Sequence, residues 1–224
     1  MKNLHNALQL KQLYLLKNIG FTYTDITPSE LEADESDLPE SMDGLKQMVT
    51  GCHLCELSKS RKKAVFGEGD PKAMVMFVGE GPGATEDSTG RPFVGRSGEL
   101  LTKMIENVLQ IPRQEVYITN IVKCRPPANR APTESEALLC RPYLNRQIEM
   151  IGPKIIVTLG ATAYKYLTND ETSISKVRGH AIDTESYTLI PTFHPSYLLR
   201  NPSAKKEAFA DMKKVKSLID TLKG

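Results

Sequence analysis

No apolar run in these 224 residues approaches the roughly 20 that a membrane-spanning helix needs. The opening stretch, MKNLHNALQLKQLYLL, lacks the layout of a secretory signal, because Asn, Gln and Lys interrupt its apolar positions. Both absences point to the cytoplasm. Internal repeats are missing as well. Residues 18–45 hold not one Lys or Arg, against eight Asp or Glu. Cysteine is scarce, four in all, and in a reducing compartment four cysteines are poor candidates for structural disulfides.

What is present is ordinary in bulk and uneven in distribution. With 40% hydrophobic and 25% charged residues, the chain reads as one globular domain, with an appendage. The net charge of +2 conceals an asymmetry, since residues 46–224 carry 26 basic and 19 acidic side chains. A basic body joined to an acidic strap suggests a polyanionic partner for the body.

Leu4, Leu8, Leu15 and Ile19 have helical spacing, so a short amphipathic helix is expected over residues 4–19. The acidic segment Asp25–Asp43, with Pro28 and Pro39, reads as linker, and globular patterning resumes near Leu45. Beyond it, four apolar runs of strand length alternate with helical periods: 73–79, 115–122, 154–160 and 187–193. Near-continuous apolar strands are those covered on both faces. Ser97 is the expected cap of a helix over 97–110, and TESE at 133–136 is a capping box whose helix Pro142 should kink or divide. A last helix from Ser203 aligns Ala208, Met212, Val215 and Ile219. The fold class is α/β with a parallel sheet, and ligands of such sheets sit beyond the carboxyl ends of the strands.

Four stretches at those ends carry chemistry. GEGPGATED (79–87) formally fits G-x-G-x-x-A, but Pro82 removes a phosphate donor and Glu86 and Asp87 would repel a pyrophosphate. Glu80 and Glu86 read better as working carboxylates. GRPFVGRSG (90–98) sets Phe93 among glycines and arginines, an aromatic platform beside phosphates. TNIVKCRPPANRAPT (119–133) ends a strand at Asn120, whose amide can pair with a base edge, and adds Lys123, Arg125 and Arg130 as a loop along a phosphate backbone. TFHPSYLLR (192–200) fixes His194 against Pro195 at another strand end. Cys52 and Cys55 form a tight C-x-x-C bite, and Cys124 and Cys140 are separated by 15 intervening residues. Four thiolates with none left over suit either tetrahedral zinc or an iron–sulfur cluster.

Taken in order, GEGPGATED, GRPFVGRSG, TNIVKCRPP and HPSYLLR, with the cysteines interleaved, closely resemble the iron–sulfur (family 4) uracil-DNA glycosylases. The resemblance spans roughly residues 45–220 and leaves 1–44 as an N-terminal extension. It implies a three-layer α/β/α sandwich around a central, mainly parallel four-stranded sheet. It implies an enzyme that flips uracil out of single- or double-stranded DNA and hydrolyses its glycosidic bond. By the same resemblance, Gly81, Phe93, Asn120 and His194 would bind the base, and His194, Glu80 and Glu86 would serve catalysis. Arg96, Ser97, Arg125, Ser196 and Arg200 would contact DNA, and Leu198 would wedge into the vacated stack. The four cysteines would hold a structural [4Fe–4S] cluster, and a monomer is expected. Related classes place Asp or Asn where Gly81 stands here, so either glutamate is left to act on water. A relative that traps its base covalently carries a histidine after the Asn motif. Residues 121–140 contain none, which favours turnover.

Overall fold

The structure is a computed structural model, and it describes residues 38–224. The helix expected over 4–19 lies outside the described residues, as does most of the acidic segment. The first described helix, α1 (Met42–Thr50), is capped by the Ser41 side chain, which accepts from the Gly44 N–H at 3.2 Å. Leu38 is already buried against this helix's cluster, so ordered packing begins some residues before Leu45.

The elements that follow are α2 (Leu57–Ser60), β1 (Glu68–Gly69), β2 (Val75–Gly79), α3 (Ala84–Thr89) and α4 (Arg96–Met104). Then come β3 (Tyr117–Asn120), α5 (Glu134–Ile151), β4 (Ile155–Leu159), α6 (Ala161–Thr168) and α7 (Ile174–Val177). The chain closes with β5 (Ile182–Asp183), β6 (Thr188–Thr192), α8 (Pro195–Arg200) and α9 (Lys205–Lys223). The sheet order is β1-β3-β2-β4-β6-β5. Its four central strands are parallel, and β1 and β5 add antiparallel edges of two residues each. The sheet is thus six-stranded, because two short segments too small to show as apolar runs pair at its rims.

Alternation along the strands separates the two faces. Val75, Phe77, Ile118, Ile155, Val157 and Ile190 pack with α4, α8 and α9 in one cluster. Met76, Val78, Tyr117, Ile156 and Leu189 pack with α5 and α6 in the other. Every residue of β2, β3 and β4 is buried, as the double covering requires. The result is three layers.

Local expectations meet two corrections. Thr133 and Glu136 form the capping box, yet α5 runs unbroken through Pro142 to Ile151. Gly95 rather than Ser97 precedes α4, which passes into a wider π-turn at Ile105–Leu109 before ending at Gln110 with φ 58°. Ala208, Met212, Val215 and Ile219 are all buried along α9.

Candidate active site

Loops leaving the carboxyl ends of β2, β3, β4 and β6 enclose a cleft of about 640 Å³. Glu80, Gly81, Glu86, Phe93, Asn120 and His194, far apart in sequence, all line it. Ser97, Ser196 and Arg200 also reach it, while Arg96 is exposed at the start of α4 and Arg125 is half-buried in the loop after β3.

Asn120 ends β3 directly beside Gly79 of β2. A Cβ at Gly79 would come within 2.5 Å of both Asn120 Oδ1 and Phe93 Cζ, so glycine alone keeps open the gap between amide and ring. Asn120 is 1% exposed, and its Oδ1 has no hydrogen-bond partner among the described residues. A buried acceptor left bare costs about 1–3 kcal/mol, so a ligand that satisfies it is favoured. Gly81 is fixed for a steric reason too, since a Cβ there would meet Val122 Cγ2 at 2.8 Å.

Phe93 has φ 50°, in the left-handed region that L residues with large side chains avoid. Its neighbours hold it there. Arg113 donates to the Pro92 carbonyl at 2.9 Å, and Glu86 Oε1 accepts the Val94 and Gly95 N–H groups at 2.9 and 2.8 Å. Arg113 is itself held by Glu68 at 2.9 Å, and paired arginines draw the Glu68 carboxyl below its ordinary range against the opposing effect of burial. Backbone strain of this kind persists only where surroundings over-determine it.

The two glutamates therefore differ. Glu86 is 8% exposed and spends one carboxylate oxygen on the Phe93 loop. Glu80 faces the cleft, and its carboxylate has no hydrogen bond or ion pair among the described residues.

His194 stands across the cleft, its ring centroid 5.7 Å from that of Phe93. The Ser196 N–H donates to its Nδ1 at 3.1 Å, and Ser196 Oγ lies 2.8 Å from the same nitrogen. A nitrogen accepting a backbone N–H carries no proton, so the neutral ring holds its hydrogen on Nε2. Burial drives the imidazole pKa down to about 4, helped by the Arg200 cation and opposed by Glu86. The ring is thus a neutral donor at any ordinary pH.

Sequence patterning missed what steadies this strand end. Asp211 of α9, 2% exposed, accepts from Thr192 Oγ1 at 2.7 Å and from Arg178 at 2.6 and 3.0 Å. Arg178 also lies 5.2 Å over the Phe193 ring. An Asp in the middle of a lysine-rich helix gives no sign of this. Tyr197 gives no such sign either, and it is the large apolar side chain that α8 exposes at the cleft rim, 39% exposed.

Two expected contacts with DNA need revision. Leu198 is 1% exposed in the core cluster, so it cannot wedge into a base stack as it stands. Its neighbour faces outward because the α8 periodicity turns 198 onto the sheet. Lys123 is also 1% exposed and cannot line a backbone; its Nζ donates to Thr119 Oγ1, Asn120 O and Gln147 Oε1 at 2.6, 2.8 and 2.6 Å. Arg130 stays exposed at the cleft, with its guanidinium on Glu136 at 2.7 and 2.8 Å.

Cys52, Cys55, Cys124 and Cys140 line a second, smaller cavity together with Arg61, Lys123 and Tyr143. His53, inside the C-x-x-C bite, is exposed. No three His, Cys, Asp or Glu among the described residues converge on one ion-sized point. Four thiols lining one cavity are a donor set that either a tetrahedral zinc or an iron–sulfur cluster takes. Burial pushes the Cys140 thiol up to about 12, opposed by Lys123, and raises Cys124, opposed by the Arg61 guanidinium 3.0 Å from its sulfur. Loading such a site must release thiol protons.

No described helix is long and apolar enough to cross a membrane. A sequence profile described as the uracil DNA glycosylase superfamily matches residues 66–214. The chain is 47% identical to a type-4 uracil-DNA glycosylase of Sulfurisphaera tokodaii, over 82% of this chain and 87% of that protein. It is 48% identical to the type-4 enzyme of Thermotoga maritima, over 80% and 95%. Against the type-4 enzyme of Saccharolobus solfataricus it is 46% identical, over 81% and 88%.

Proposed function

The chain belongs to the uracil-DNA glycosylase superfamily, among its type-4 members, and on that footing we propose that the cleft accepts a uracil flipped from DNA and cleaves its glycosidic bond. The protein is a DNA-repair hydrolase of N-glycosyl bonds. The observation that carries the site assignment is the bare Oδ1 of Asn120, buried beside the gap that Gly79 leaves open. Uracil offers an N3–H to that oxygen and a carbonyl to the Asn120 amide nitrogen. Cytosine, with a donor where uracil has its O4, cannot make both bonds.

In this reading Phe93 stacks on the extruded base, and His194 donates from Nε2 to uracil O2. As the N1–C1′ bond breaks, both electrons leave with uracil, and a preorganised donor stabilises the charge that develops there. A water then bonds to C1′ and gives up a proton. We assign its polarisation to Glu80, whose carboxylate is uncommitted, and give Glu86 the task of holding the Phe93 loop. We assign Arg96, Ser97, Arg125 and Arg200 to contacts with the DNA backbone. Ser196 fixes the tautomer of His194 while facing the same cleft.

The four cysteines would hold a [4Fe–4S] cluster through Cys52, Cys55, Cys124 and Cys140, and the type-4 relatives support that choice over zinc. When bound, such a cluster supplies a rigid anionic crosslink between the segment joining α1 to α2, helix α5 and the loop after β3. We further assign the catalytic unit to residues 45–224 with residues 1–44 as an extension, a monomeric state and a cytoplasmic setting. Incubation with a uracil-containing oligonucleotide followed by alkaline cleavage tests the activity. Strand scission at uracil and none at cytosine or thymine is expected; an intact strand overturns the proposal.

A further inference from the structure

Lys123 is among the largest fully buried side chains of the described protein, yet the uracil mechanism gives it no task. All three of its ammonium hydrogens have acceptors within 2.8 Å, and all three acceptors are neutral oxygens. No carboxylate touches it among the described residues. A buried cation without a counter-charge is costly. Among the described residues the groups placed to supply one are the cysteines, since Lys123 lines the same cavity as all four of them. A cluster held by four thiolates is anionic overall.

The ammonium reaches the active site through the end of β3. It grips the Asn120 carbonyl and Thr119 Oγ1, the last two residues of β3. Gln147 of α5 completes the cage, donating to Phe66 O at 2.9 Å and to the Tyr117 hydroxyl at 3.1 Å. Thr119 donates to the same Phe66 carbonyl at 2.9 Å. The Asn120 side-chain oxygen has no partner among the described residues, so the backbone anchorage sets where the amide points.

We propose that Lys123 is a positioning residue joining the two cavities: its ammonium fixes the Asn120 end of β3 and takes its counter-charge from the cysteine-held cluster. The inference rests on the glycosylase reading above. It gives the cluster a role in base recognition without any part in the chemistry. It also explains why a lysine occupies a fully buried position where an apolar residue would otherwise be cheaper.

The test is Lys123→Met, which keeps the stem and removes the charge, on full-length protein carrying its cluster. Free uracil serves as the probe, through inhibition of excision, alongside affinity for abasic-site DNA, iron content and the cluster's midpoint potential. The expected result is uracil inhibition weakened by roughly tenfold or more, as for a lost charge-assisted anchor, with abasic-DNA affinity unchanged. The potential should move negative, because a cation beside the cluster no longer favours its reduced form. A purely structural lysine would lower the melting temperature and move neither uracil inhibition nor potential, and that result overturns the inference. If Lys123→Met emerges without iron, Thr119→Val decides, since it removes one leg of the cage away from the cysteines. Weakened uracil inhibition with iron retained supports the link, and wild-type inhibition sinks it. Wild-type protein that excises no uracil would defeat the glycosylase reading instead, which keeps the two failures apart.

Discussion

On the wall of the cleft at the end of β3, Asn120 keeps a buried oxygen with no partner; at the end of β6, His194 has one ring nitrogen fully engaged by Ser196. The first wall is incomplete until a base arrives. The second is finished beforehand, with its tautomer set and its proton aimed. An unsatisfied group rewards the ligand that completes it, which is recognition. A satisfied and oriented group waits for charge that appears only in the transition state, which is catalysis.

The largest expected effect lies on the finished wall. His194→Ala should slow single-turnover excision by roughly a hundredfold to a thousandfold, for a loss of ~2.7–4 kcal/mol, with little change in DNA affinity. Measuring the melting temperature of the same preparation separates this from a packing defect; full activity in a destabilised variant would erase the distinction between the walls. Next comes Asn120→Asp, whose carboxylate cannot donate to uracil O4 and repels the developing anion. We expect a loss of roughly ten- to a hundredfold on single-stranded uracil DNA, and a wild-type rate constant would mean that another residue reads the base.

Ser196→Ala sharpens the comparison at smaller scale. The Ser196 backbone N–H still donates to His194 Nδ1 in that variant, so the tautomer survives. Only one neutral hydrogen bond is lost, and the rate should fall roughly two- to tenfold; a fall as large as that of His194→Ala would mean the hydroxyl itself sets the tautomer. The smallest expected effect is none at all. With a folded pKa of about 4, His194 stays neutral across the range where an ordinary histidine titrates, so excision should show no histidine inflection near pH 6.5. Stability behaves differently. The unfolded chain binds a proton below 6.5 that the folded one refuses, so the fold loses stability as pH falls from 6.5 toward 4. Denaturant titrations at pH 7 and pH 5 check the sign.

Much of this was legible in the sequence because β2, β3, β4 and β6 are covered on both faces, which leaves runs of apolar residues too continuous to misread. Three of the motifs also sit directly after those runs, so topology alone brings Glu80, Asn120 and His194 together, and Phe93 joins them from the loop before α4. What failed to show depends on long-range packing. Leu198 looks like a free apolar tip, but the turn of α8 sends it to the core and leaves Tyr197 outside. Lys123 sits in a basic, proline-stiffened loop, and only Gln147, 24 residues on, reveals that it is swallowed. Glu80 and Glu86 are alike as letters, and the hydrogen bonds to Val94 and Gly95 are what part them.

The two-residue strands at the sheet's rims have a consequence for handling the protein at high concentration. A parallel sheet with open sides offers unpaired backbone to any passing chain. Here each side ends in a short antiparallel stub, and at β1 the backbones press so close that a Cβ on Gly69 would lie 1.8 Å from the Val116 carbonyl. Neither side gives an incoming strand more than two residues to zip against. Edge-to-edge pairing of native molecules is thereby disfavoured at the rims of the described sheet.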